Sequence, residues 1–140
     1  MASFGVQLAK FAKKAGDKAD TVVTKVCLDV AARVIEKTPV DTGRLRANWQ
    51  ASIGQPASGE VEGNDKSGAS TISKIIGPAG QAPGRVFYLT NNLPYAVVAE
   101  FGLWGTSDGA TQKTTRDGHS IQAPNGMVRV TMAEIARIFD

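Results

Sequence analysis

"TPVDTGRLRANWQ", Thr38 to Gln50, is the stretch on which the reading of this chain turns. Upstream, Val22, Val26, Val30 and Val34 recur every four residues, and Val23, Cys27, Ala31 and Ile35 form an adjacent row. Two such rows make the broad apolar face of a helix of about five turns. Pro39 ends it, because the residue before a proline is pushed out of the helical region. Asp41-Thr42-Gly43 then has two readings. Aspartic protease chemistry needs two carboxylates sharing one proton, each in a strand-rich loop. Here the triplet follows a long helix and precedes Arg44 and Arg46, whose charges hold Asp41 ionised. The residues favour a turn in which Asp41 or Thr42 caps a short helical segment and Gly43 permits the bend.

Beyond the turn, "NWQASIG" sets Trp49, Ala51 and Ile53 against Asn48, Gln50 and Ser52, the alternation of a half-buried strand. Residues 54–70, rich in glycine, serine and acids, read as an exposed, mobile connection. "STISKIIG" fits a short helix or a strand. "GRVFYLTNN" is a second strand, bounded by Gly84 and the Asn91-Asn92 pair. "PYAVVAEFG" is a short helix with Pro94 in its first turn and Gly102 closing it. "ATQKTTRDGHSIQAP" carries Asp117-Gly118 between threonine-rich flanks, a hairpin signal; polar on both faces, it is expected to project. Asn125 can cap a final helix from Gly126 that buries most of Met127, Val130, Ile135 and Ile138. At the other end, Phe4, Leu8 and Phe11 mark an amphipathic helix over residues 4–15. The expectation is one α+β domain over residues 1–140: long N-terminal helices on a small, mostly antiparallel sheet, a projecting β-hairpin and a C-terminal helix.

The 140 residues suffice for a single modest core. Sixteen basic against thirteen acidic residues give a formal charge of +3, a mild excess that does not make a dedicated nucleic-acid binder. Lys10, Lys13, Lys14 and Lys18 gather near the start; they form either a solvated helix face or a contact with DNA phosphates lining a channel. The single cysteine, Cys27, permits no internal disulfide and reads as a small buried hydrophobe. The first residues lack the apolar core of a secretion signal, and no apolar run approaches the roughly 20 residues of a membrane span; assembly in a cytoplasm, away from membranes, is the expectation. His119 is the only histidine and has no partner cluster with metal-ligand spacing. No nucleophile elbow, phosphate loop or dinucleotide fingerprint is present. Composition and motifs therefore point to no catalytic residue, cofactor or metal.

Three motifs in order, "TPVDTGRLRANW", "NNLPYAVVAEFG" and "APNGMVRVTMAEI", resemble the family of small tail-completion, or neck, proteins of tailed bacteriophages, tail components of lambdoid siphophages. The resemblance covers roughly residues 18 to 138. It implies a structural virion protein, not an enzyme, that completes the head-proximal end of the tail and helps join tail to head around the DNA channel. The implied partners are other copies of the chain, in a homo-oligomeric, hexameric ring, and neighbouring connector, stopper, tail terminator or tail-tube proteins. Thr38, Pro39, Asp41, Thr42, Gly43, Arg44, Leu45, Tyr95, Ala96, Glu100, Gly102, Pro124, Gly126, Met127 and Arg129 fall on the motifs, where the resemblance makes them fold signatures. One departure stands out. Leu103 to Gln122 intervene between the second and third motifs, an insertion carrying the expected hairpin, with Lys113, Arg116 and His119 as candidate subunit or neck contacts. The alternatives are another connector-type role (head-tail connector or tail terminator), a small DNA-binding module using the amino-terminal lysines with Arg44 and Arg46, and, last, a small hydrolase. Glu100, at a helix C-terminus against the dipole, is expected to pair with Arg44, Arg46 or Arg129.

Overall fold

A computed structural model of the chain describes residues 19–103 and 118–138. The expected helix over residues 4–15, the lysines at 10, 13, 14 and 18, and residues 111–117 of the expected hairpin, with Lys113 and Arg116, lie outside the described residues. The elements run α1 (Ala19–Lys37), α2 (Arg44–Ala47), β1 (Trp49–Ile53), α3 (Ala69–Gly80), β2 (Phe87–Asn91), α4 (Pro94–Phe101) and α5 (Val128–Ile138). β1 and β2 form a two-stranded antiparallel ribbon, with Trp49 opposite Asn91 and Ile53 opposite Phe87. α1 packs on α3 and α5, and α3 packs on β1. This is an α+β fold, with Val34, Ile35, Trp49, Ile75, Leu93 and Met127 at its centre.

α1 carries Asp20 in its first turn and Lys37 in its last, charges that complement the helix dipole. Its apolar face is buried only in the second half, at Ala31, Val34 and Ile35, while Val23 is exposed and Val22, Val26, Cys27 and Val30 are half-buried. Burial still pushes the Cys27 thiol up from its ordinary value. Among the apolar rows lies a buried acid, Asp29. It pairs with Arg33 one turn on at 3.0 Å, and Arg33 reaches Glu134 of α5 at 2.7 Å. Lys37 meets the same Glu134 at 2.6 Å, so the chain of charges ties α1 to α5.

The end of α1 is built by the opening motif. The buried Thr38 hydroxyl donates to the Val34 carbonyl at 2.7 Å and accepts from the Trp49 indole N–H at 2.8 Å. Arg46 donates to the carbonyls of Thr38, Glu36 and Lys66 at 3.0, 2.8 and 2.7 Å. A guanidinium thereby satisfies carbonyls that a helix C-terminus leaves open. Between them Thr42 Oγ1 accepts from the Arg44 amide at 3.2 Å, and Gly43 adopts φ 91° at the start of α2. A Cβ on Gly43 would stand 2.6 Å from the Lys66 amide nitrogen, and its carbonyl accepts from the Asp65 amide at 3.0 Å. The exposed Asp41 takes no part. "DTG" is punctuation, and its working groups are Thr42 and Gly43.

The connection after β1 is exposed, yet it is stitched down. Asn48, fully buried, accepts from the Val61 amide at 2.7 Å and donates to the Val61 carbonyl at 3.0 Å. Asn92 reaches the carbonyls of Ala57 and Gly59. Asp65 accepts from the Thr71 amide and hydroxyl, both at 2.8 Å, and from the Gly68 amide. Capping by Asp65 resolves "STISKIIG" as part of helix α3. Burial would raise the Asp65 carboxyl, but these donors outweigh it and hold the group below the usual carboxylate range.

Gly43→Ala is expected to destabilise the fold by about 2–4 kcal/mol, since it combines a left-handed backbone with a collision against backbone atoms. Asp41→Asn should stay within about 0.5 kcal/mol, as an exposed surface change. Urea denaturation of the two variants checks both values.

Candidate functional site

The motif turn, α4 and the chain returning at residue 118 converge on one open groove of about 750 Å³. Pro39 to Leu45 form one wall, Tyr95 the floor edge, and Ser120 to Gln122 the other wall. The two walls are held together by a side chain imitating a strand. Gln122 accepts from the Val40 amide at 2.9 Å and donates to the Val40 carbonyl at 3.0 Å. Leu45 beneath is buried in the core, and its carbonyl is fixed by the Asn91 amide at 2.9 Å. Apolar lining from Pro39, Val40, Tyr95 and the exposed Ile121 meets a rim bearing Asp41 and Arg44. Arg44 lies 3.5 Å from Glu60, which leaves Asp41 as the uncompensated charge at the mouth. Among the described residues Asp41 is the one acid in the lining, and shared-proton hydrolysis needs two. Among the described residues no cluster of three metal-ligating side chains exists. The groove offers an apolar lining with a charged rim.

Behind the groove, α4 ends in a carboxylate that organises the next helix. Glu100 is buried, and its Oε1 accepts from the amides of Met127 and Val128 at 2.9 and 2.6 Å. Its Oε2 accepts from the Arg129 amide at 3.2 Å and from Arg129 Nε at 2.9 Å. Arg129 Nη2 closes the ring on the Glu100 carbonyl at 2.6 Å and stacks over Phe101, 4.6 Å from the ring centre. The amide of Met127, just before α5, and those of Val128 and Arg129 in its first turn thus share one anion, the charge a helix N-terminus favours. Burial alone would raise the Glu100 carboxyl. The Val128 amide, the Arg129 side chain and the Met127 and Arg129 amides outweigh it and hold the group below the usual carboxylate range. Gly126 leaves the approach open, since a Cβ there would lie 2.6 Å from the Glu100 carbonyl oxygen.

The expected Glu100–arginine pair forms with Arg129. The expected cap does not: Asn125 is exposed, α5 begins at Val128 and not at Gly126, and Glu100 supplies the cap from 27 residues away. A carboxylate delivered across the fold displaces a local Asn because it satisfies several amides at once. The motif positions divide by burial. Thr38, Gly43, Leu45, Glu100, Gly102, Gly126 and Met127 are buried, Pro39 and Tyr95 are half-buried, and Asp41, Thr42, Arg44, Pro124 and Arg129 are exposed. His119 is half-buried, its ring packed against Gly102 and its Nε2 3.3 Å from the Glu100 carbonyl oxygen. It belongs to the stem of the insertion and not to its tip. Sequence reasoning gave Arg46 other partners and missed Asn48, Asp65 and Gln122; all four act on backbone groups. Only Asp65, an acid shortly before a helical run, carries a local signal. No described helix is long and apolar enough to cross a membrane.

The family model for "Bacteriophage HK97-gp10, putative tail-component" matches residues 2–102. No curated protein and no solved structure matches the chain. The matched stretch carries the first two motifs and ends two residues beyond Glu100, so the α5 amides that Glu100 binds lie outside it.

Glu100→Gln replaces a charge-assisted acceptor with an amide whose NH₂ faces backbone donors. It should destabilise the protein by about 2–3 kcal/mol in chemical denaturation. The sign with pH follows from the depressed carboxyl. Its stabilisation is present above the unfolded value, about 4.3 for glutamate, and is lost as pH falls through the lower folded value. Acid titration followed by circular dichroism should therefore show a smaller acid-dependent loss of stability in Glu100→Gln than in the native chain.

Proposed function

The chain belongs to the HK97-gp10-like family of bacteriophage tail components, and from that premise we propose that it completes the head-proximal end of the tail and helps join tail to head. The match over residues 2–102 carries this reading, because it spans the turn motif and the "PYAVVAEFG" helix that together build the groove. A tail component acts by contact. The surface supports that role: Val97 and Phe101 of α4, Leu103 just after it, and Ile121 in the groove wall are each more than half exposed. Exposed apolar side chains of this size beside an open groove mark an interaction face.

In this proposal the chain is non-enzymatic and assembles as a closed ring of identical subunits, six in register with the tail, around the channel through which DNA passes. Its neighbours are connector, stopper, terminator or tail-tube proteins, and it resides in the virion. A free-standing DNA-binding role fits less well. The Arg46 guanidinium is spent on three backbone carbonyls, and Arg44 faces Glu60. A groove-reading arginine needs its donors free.

A phage lacking this gene should yield DNA-filled heads and separate tails of normal length, with joined particles restored by the full chain supplied in trans. Electron microscopy of the lysate reads the outcome. Joined, infectious particles without the protein would overturn the proposal, and short or absent tails would move the role to tail initiation or elongation.

A further inference from the structure

The β1–β2 ribbon has two chemically opposite ends. At the Trp49–Asn91 end lies the groove, joined to the ribbon through the Asn91–Leu45 bond. At the Ile53–Phe87 end, about 13 Å away across five paired residues, the chain presents a tip made of Arg85 and Val86. Val86 is 58% exposed, a large aliphatic side chain held out on a fixed backbone. Its carbonyl accepts from the Gly54 amide at 2.9 Å, and the Arg85 amide donates to the Ala82 carbonyl at 2.9 Å. The tip is pre-organised, so docking it costs little ordering entropy.

Charges at the two ends complement each other. Around the tip, Arg85 lines a second groove together with Asp20 and Lys25. On the rim of the first groove Arg44 turns to Glu60, 3.5 Å away and outside the lining, while Asp41 stands beside it. Asp41 and Arg85 are both exposed, and neither forms an ion pair with a described residue. The apolar lining of the groove, with Tyr95 and Ile121, offers what a projecting valine needs. Two different patches at opposite ends of one rigid element make a heterologous contact, the kind that closes into a ring.

We propose that the Arg85–Val86 tip of one copy docks into the groove of the next, with Val86 against Tyr95 and Ile121 and Arg85 beside Asp41. This rests on the ring proposed above and assigns its subunit contact. Both charged positions are exposed, so the variants keep the native melt. In trans complementation with the full chain, Asp41→Arg and Arg85→Asp should each lower plating by about tenfold or more, and the double exchange should recover most of it. In assembled particles, Val86→Cys combined with Ile121→Cys should give a ladder of disulfide-linked oligomers on oxidation, which neither single variant gives. Wild-type plating by both single charge variants, no recovery in the exchange, or no ladder would overturn the assignment. A virion ring with Val86 turned to solvent would sink this contact and leave the ring standing; a virion with no ring would remove both.

Discussion

The carboxylate of Glu100 ties the end of α4 to the start of α5. It closes α4, whose "PYAVVAEF" residues line the core with Ala96 and Ala99, and it opens α5 by accepting three backbone amides. The same residue gives its carbonyl to Arg129, so the first turn of α5 is held from both directions. A carboxylate at the end of its own helix is unfavourable against that helix's dipole; here it is offset by the opposite pole of another. Removing it would leave buried donors without partners, which costs more than the bonds themselves contribute. With α5 fixed, Glu134 reaches Arg33 and Lys37, and the C-terminal helix locks onto α1.

The same logic recurs at the other end of α1, with the sign reversed. Arg46 supplies the positive charge a helix C-terminus favours and binds three carbonyls, one of them from the connection after β1. Thr38 holds Trp49 from the last turn of α1. Two remote side chains, one cation and one anion, thus terminate two helices and fix the loops between them. The groove inherits its shape from both, since one wall follows Arg46's turn and the other runs from the stem beside Glu100 into α5.

Much of this was legible in the residues. Apolar periodicity placed α1, alternation placed β1, Gly84 and the Asn91-Asn92 pair bounded β2, and the proline and glycine of "PYAVVAEFG" bounded α4. Those signals are local, and they hold because each depends only on its neighbours; the local Asn125 cap failed because Glu100 took its place. The features that escaped are side chains acting on distant backbone: Asn48 on Val61, Gln122 on Val40, and Glu100 in place of Asn125. An amide or carboxylate carries no periodicity, and nothing in its neighbours names a partner many residues away. The pairing of Glu100 with Arg129 was anticipated from an electrostatic deficit, which shows that an uncompensated charge is itself a signal. The buried Asp29 gave none, because an acid one turn before an arginine reads as an ordinary solvated pair.

Function enters through the surface left over once these ties are made: a groove with an apolar lining and one uncompensated acid, and exposed apolar side chains on α4 and beyond it. For a tail component, such a surface has meaning only in an assembled particle. The most direct measurement is therefore a reconstruction of the intact virion without imposed symmetry, with this chain fitted into the density between head and tail. The account predicts a closed ring of six copies at the head-proximal end of the tail, coaxial with the DNA channel. Density for the chain at the distal tip, along the tail shaft, or as a single copy off the axis would contradict it.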